Sequence, residues 1–217
     1  MWDYINKRTV THGITLISAL YILLKRLSTI KNLSYFIWFL PTYLSLLLQV
    51  YFLIVSLKQK PKEKKDGIGI FFVALISSNF PIVVSAIYNE FPIFEYKIHL
   101  AAVAYIMNFL VMIFYLYAIV SLGKSLTVLP EYNKVKTQGA YKYSRHPLYL
   151  SYIIQYVLQI FIFQTYSVIV CSVIQITLII IRAKYEENVL SENDDTYKNY
   201  LQKTKWINLS LGGKENE

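Results

Sequence analysis

The stretch LYLSYIIQYVLQIFIFQTYSVIVCSVIQITLIII, residues 148–181, decides the architecture. A helix needs about 20 apolar residues to cross a hydrocarbon core of about 30 Å, so this run is far too long for one crossing. Gln164, Thr165 and Tyr166 break it near its middle. The expected form is a tight helical hairpin, two short spans packed on each other whose outer ends return to one side of the membrane. Directly ahead of the run stands GAYKYSRHP, residues 139–147, and directly behind it RAKYEENVL, residues 182–190. Antiparallel packing of two short helices brings these polar ends within side-chain reach, and a site is expected where they meet.

The rest of the chain sets the same frame. Of 217 residues, 55% are hydrophobic and only 16% charged, which excludes a soluble domain with a charged surface. Leu33–Leu57, Ile68–Tyr88 and Ile98–Leu122 are each long enough to span. Thr9–Leu24 is shorter and carries His12 and Gly13; spanning, tilting or lying in the interface all stay open for it. The fold expected is all-α, a polytopic integral membrane bundle of five or six spans ending in the hairpin.

The net charge of +9 falls between the apolar blocks rather than along one face, so it reads as a topology signal and no nucleic-acid partner is expected. Lysines and arginines gather after the Leu33–Leu57 block (Lys58 to Lys65), after Ile98–Leu122 (Lys124 to Arg145) and after the hairpin (Arg182 to Lys205). These three segments are expected to face the cytoplasm. Residues 89–97 agree with the opposite side, holding Glu90 and Glu95 with one lysine, whereas Lys25, Arg26 and Lys31 conflict with six simple crossings. No secretory signal is evident. The single cysteine, Cys171, reads as a packing residue, and His12 and His99 have no metal-ligand spacing, so no metal is expected.

Local chemistry marks the two ends of the hairpin. Pro147 suits the first turn of a helix, whose free N–H groups then form a natural anion receptor. Gly139 permits the sharp backbone turn that a closely approached ligand requires. Behind the hairpin, Arg182 and Glu186 stand four residues apart on one helix face, with Val189 and Leu190 one turn on. Glu187 points about 100° away and is not expected to share the role of Glu186. A surface ion pair at Arg182 and Glu186, a capping His146 and interfacial Tyr141, Tyr143 and Tyr149 form the plainer alternative. SENDDTYKNY, residues 191–200, reads as a solvated helix with Tyr197 and Tyr200 packing back. Asn79 and Asn108 line an acceptor tunnel or make helix contacts; both readings stay open.

Taken in order, LGKSLTVLPEYNKVKTQGAYKYSRHPLYL (122–150), the hairpin, RAKYEENVL and TYKNYLQKT (196–204) resemble the isoprenylcysteine carboxyl methyltransferase family in its broad sense, including prokaryotic membrane methyltransferases. The resemblance implies S-adenosylmethionine-dependent methyl transfer, with the cofactor in a cytosolic pocket and a lipophilic small-molecule or prenylated acceptor entering from the membrane lipids. Residues matching the family's cofactor pocket are Val135, Lys136, Tyr141, His146, Pro147, Leu148, Tyr149 and Glu186, with Lys134 a looser match. Arg182 matches the arginine associated with the acceptor group. The end of the chain departs from the pattern: Lys205, Trp206, Ile207 and Asn208 stand where the family has a basic residue, an apolar stretch and proline.

On this basis residues 1–122 form the acceptor-side spans and 123–217 the catalytic part. Two other classes compete: an NADPH-dependent sterol-type membrane reductase, and a non-enzymatic membrane protein that keeps the fold. The reductases favour an arginine- and aspartate-rich exit helix, and RAKYEENVL fits the methyltransferase form better.

Overall fold

The computed structural model describes residues 2–28, 33–57, 72–77, 97–126, 136–193 and 195–206, and all regular elements among them are helical. They are α1 (Trp2–Ser28), α2 (Leu33–Leu57), α3 (helical residues 72–77), α4 (Ile98–Leu122), α5 (Pro147–Phe163), α6 (Tyr166–Asn193) and α7 (Asp195–Lys203), with single 3-10 turns at Gly123–Ser125 and Gly139–Lys142. The expected blocks Leu33–Leu57 and Ile98–Leu122 coincide with α2 and α4. The block Ile68–Tyr88 lies outside the described residues except at 72–77.

Two helices, Ile98–Leu122 and Tyr166–Glu192, are long and apolar enough to cross a membrane. Only 28% of the most apolar stretch of each is buried inside the protein. The remainder would form an apolar patch far beyond what a monomer shows to water, whereas lipid accepts it. Helix α1 carries the same signature in another form. Thr11, His12, Thr15 and Ser18 are buried, while Ile17 at 69% and Leu24 at 66% face outward. A helix with its hydroxyls inside and its aliphatic residues outside is arranged for an apolar solvent.

The break between α5 and α6 has a local cause. Gln164 ends α5 in the left-handed region at φ +54. Its side chain compensates: Nε2 donates to Phe161 O at 3.0 Å and to Lys97 O at 3.3 Å, while Oε1 accepts Lys97 N–H at 3.2 Å. Thr165 follows as the N-cap of α6, with Oγ1 accepting Val168 N–H at 3.4 Å. The Lys97 contact ties the start of α4 to the far end of α5. At the other end Ala140 N–H donates to Ser121 Oγ at 3.2 Å, so the last turn of α4 meets the segment leading into α5. Antiparallel α4 and α5 are thus registered at both ends. Their core is Met112, Tyr115, Ala118 and Ile119 against Ala140 and Leu148. Helix α6 packs on α5, where Ser172 Oγ donates to Tyr156 O at 3.1 Å, and reaches α3 through Gln175 Nε2 to Ser77 O at 2.7 Å. Cys171 is free and buried.

Candidate active site

Gly139 opens the site segment at φ +64, a conformation that glycine adopts without a steric penalty. A Cβ there would lie 2.6 Å from Ser121 Oγ. The close approach expected at this glycine is therefore made by the chain's own Ser121, which donates to Tyr117 O at 2.8 Å and accepts from Ala140. The following turn is held from behind by α7, whose Tyr200 hydroxyl donates to Tyr141 O and sits 3.3 Å from Ser144 O. Tyr197 and Tyr200 are both buried, packing back on the protein as expected for residues 191–200. Tyr141 is buried as well. Burial, then the nearby Glu186 carboxylate, raises its phenol well above the ordinary range.

His146 is the N-cap of α5 and Pro147 its first residue, as proline chemistry predicts. The His146 backbone N–H donates to Ser144 Oγ at 3.2 Å, and Ser151 Oγ closes the first turn by donating to Pro147 O at 2.8 Å. Pro147 and Leu148 are buried in packing. One turn of α5 therefore aims the His146 and Tyr149 rings to the same side, where they stack with centroids 5.4 Å apart and planes at 26°.

The end of α6 meets them. The Tyr149 hydroxyl donates to Glu186 Oε2 at 2.8 Å, and the Arg182 guanidinium lies 5.6 Å from the centroid of the Tyr149 ring. Tyr149 thus stands against both Arg182 and Glu186. Glu187, set aside in the sequence for pointing elsewhere, also reaches the entrance segment. Its Oε1 takes His146 Nε2 at 2.9 Å and Trp206 Nε1–H at 3.1 Å, with Arg145 Nε 3.4 Å away, ion-paired but not aligned to donate. The 100° between two successive carboxylates does not separate them, because the stacked Tyr149 and His146 rings take one each, Glu186 and Glu187.

Lys205 and Trp206, where the sequence begins to depart from the family pattern, pack on the same spot, and Ile207 and Asn208 lie outside the described residues. Arg145 N–H donates to Lys205 O at 3.3 Å, Ser144 Oγ donates to Trp206 O, and the indole lies 4.8 Å from the His146 ring. Glu187, Trp206 and Arg145 are the residues sequence reasoning missed. The second glutamate of RAKYEENVL and the arginine beside His146 were the available signals; for Trp206 there was none. Of the other expected residues, Lys136 is exposed, and Val135 and Lys134 lie outside the described residues. Tyr143 is 56% exposed and points away, in keeping with an interfacial role. Asn108 is half-buried on α4, and Asn79 lies outside the described residues. No cluster of metal-binding side chains occurs among the described residues.

Residues 97–195 match the family model for phospholipid methyltransferase. That model describes the broad family of isoprenylcysteine carboxyl methyltransferase-like proteins, to which this segment is similar. No curated protein matches the chain. The match begins at Lys97, so it takes in α4 as well as the segment expected to be catalytic. His146, Tyr149, Arg182, Glu186 and Glu187 all lie inside it, and Tyr197, Tyr200 and Trp206 lie beyond it.

Proposed function

We propose that this protein is an S-adenosylmethionine-dependent membrane methyltransferase acting on the polar group of a lipophilic acceptor, a carboxylate as in prenylcysteine-type substrates or another polar lipid group. The observation that carries the reading is the meeting of α5 and α6 at Tyr149 and Glu186, which puts aromatic rings, two carboxylates and an arginine in one place. The donor set fits the cofactor. Glu186 and Glu187 provide carboxylates for an ammonium or for ribose hydroxyls. Tyr141, Tyr149 and His146 provide ring faces for an adenine or a soft cation. Val135, Lys136, Pro147 and Leu148 complete the binding set by resemblance to the family.

When bound, S-adenosylmethionine supplies an electrophilic methyl group on a sulfonium. The chain's own part is to bind, orient and exclude water, because positive charge is dispersed in the transfer and a dry positioning site favours that more than acid-base chemistry does. Arg182 holds the acceptor oxygen through its planar donor fork. A carboxylate acceptor is already ionised at neutral pH and needs no general base.

In this reading the site faces the cytoplasm, on the evidence of the lysine-rich segments, and the bundle has five or six spans ending in a helical hairpin. Residues 1–122 furnish the acceptor side and 123–217 the catalytic part. A water-soluble cofactor and a membrane-borne acceptor then meet at the interface where each can arrive.

The test is binding and turnover by the full chain in detergent. S-adenosylmethionine should raise the melting temperature while NADPH should not, and labelled methyl should pass into a lipid extract. Stabilisation by NADPH alone, or binding of neither compound, would overturn the assignment.

A further inference from the structure

Tyr115 on α4 and Tyr152 on α5 meet hydroxyl to hydroxyl at 2.8 Å, their rings tilted with centroids 5.2 Å apart. Each phenol has one hydrogen to donate. The bond between them spends one of the two, and the other has no partner among the described residues. Tyr115 is only 4% exposed, and both rings pack among Met112, Ala118, Ile119 and Leu148. Phenylalanine would fill that apolar space without leaving a buried donor, so the spare hydrogen calls for a partner. A hydroxyl that already accepts a hydrogen bond is also a better donor, because the two dipoles polarise each other.

The position of the pair says what it would meet. Tyr152 stands one turn beyond Tyr149 on the same face of α5, further from the His146 end of the helix. The Arg182 guanidinium lies over the ring of that Tyr149, 5.6 Å from its centroid. We propose that the Tyr115–Tyr152 pair is the inner polar contact of the acceptor site, donating its remaining hydrogen to a carbonyl-type oxygen of a lipid-like molecule whose head lies against Arg182. Identifying that molecule as the methyl acceptor rests on the proposed function; the hydrogen bond itself does not. The pair then selects acceptors by where their oxygen falls relative to the reacting group, so Tyr115 and Tyr152 are specificity residues rather than catalytic ones.

The probes are a farnesyl thioether ending in a methyl ester and the same thioether ending in a propyl group, titrated against the full chain in detergent. The wild type should prefer the ester by about tenfold, and Tyr115→Phe with Tyr152→Phe in one chain should cut the preference to about twofold, while either substitution alone leaves one hydroxyl hydrogen and should lower it less. Propyl-probe affinity and S-adenosylmethionine affinity should stay at wild-type values, while the melting temperature should fall modestly with the loss of the phenol–phenol hydrogen bond. An infrared reading needs no variant: the carbonyl stretch of a carbon-13-labelled ester bound to wild type should shift down from its value in hydrocarbon. An unshifted stretch, or an ester preference that survives both substitutions, would overturn the inference. Loss of S-adenosylmethionine binding in wild type with the ester preference intact would sink the methyltransferase reading and leave the phenol pair standing.

Discussion

Tyr149 gives its hydroxyl hydrogen to Glu186 across the α5–α6 contact at 2.8 Å, joining residues 37 apart in the chain. Tyr149 is two residues past the helix-starting Pro147, and Glu186 is four past Arg182, so this one bond brings the proline-led entrance and the charged exit to a common point. Arg182 lies over the ring of the same tyrosine.

Glu186 and Arg182 should separate binding from turnover. Glu186→Ala is expected to weaken S-adenosylmethionine about tenfold or more, the scale of one charge-assisted hydrogen bond. Arg182→Ala should leave that affinity near wild type and lower turnover roughly a hundredfold, the scale of a lost positioning contact. Isothermal titration beside a methyl-transfer assay reads both. Equal cofactor affinity in wild type and Glu186→Ala would contradict the first expectation.

Glu187 should matter more to the closed end of the chain. One of its two carboxylate oxygens, Oε1, meets His146, Trp206 and Arg145. Glu187→Ala is expected to cost about 1–3 kcal/mol, while Trp206→Phe, which keeps a six-membered aromatic ring and removes the N–H with the rest of the indole, should cost about 1 kcal/mol or slightly more. Melting temperatures in one detergent would check the order, and an unchanged value for Glu187→Ala would show that the tail docks without it.

Gly139 carries two penalties against any side chain, its positive φ and the 2.6 Å approach to Ser121 Oγ. Gly139→Ala should therefore destabilise by about 1–3 kcal/mol. Gly123 has a similar φ of +56 but open space where its Cβ would go, so Gly123→Ala should be milder. A Ser121→Gly background should recover part of the Gly139→Ala loss and none of the Gly123→Ala loss. Comparable losses in the two alanine variants would mean that backbone conformation, and not the contact, sets the cost.

Tyr200 gives the fold an alkaline limit. Burial, opposed in part by Arg145 and Thr204, pushes its phenol from 10.0 up to about 12. The folded state thus keeps a proton that the unfolded state gives up first. Stability from this group is whole below pH 10 and declines as pH rises from 10 to 12, where the phenolate can no longer donate to Tyr141 O. Tyr200→Phe should lower the melting temperature at neutral pH and flatten its fall across that range. A parallel fall in the variant would assign the alkaline loss to other groups.

The sequence by itself determined α2, α4 and the break between α5 and α6. Apolar length delimits α2 and α4, and the polar interruption at 164–166 divides α5 from α6, because chain length and backbone satisfaction in an apolar medium are local matters. Pro147 at the head of α5, and the buried Tyr197 and Tyr200 of α7, were legible for the same reason. Only the tertiary structure decided which side chains meet. Angular separation on one helix set Glu187 aside, yet the stacked His146 and Tyr149 rings at the head of α5 reach both successive carboxylates. The Ser121 contact at Gly139, the Trp206 clasp on Glu187 and the Tyr115–Tyr152 pair each join residues far apart in sequence. Their distances follow from how α4, α5, α6 and the C-terminal segment pack, a property of the assembled bundle that no single stretch of chain encodes.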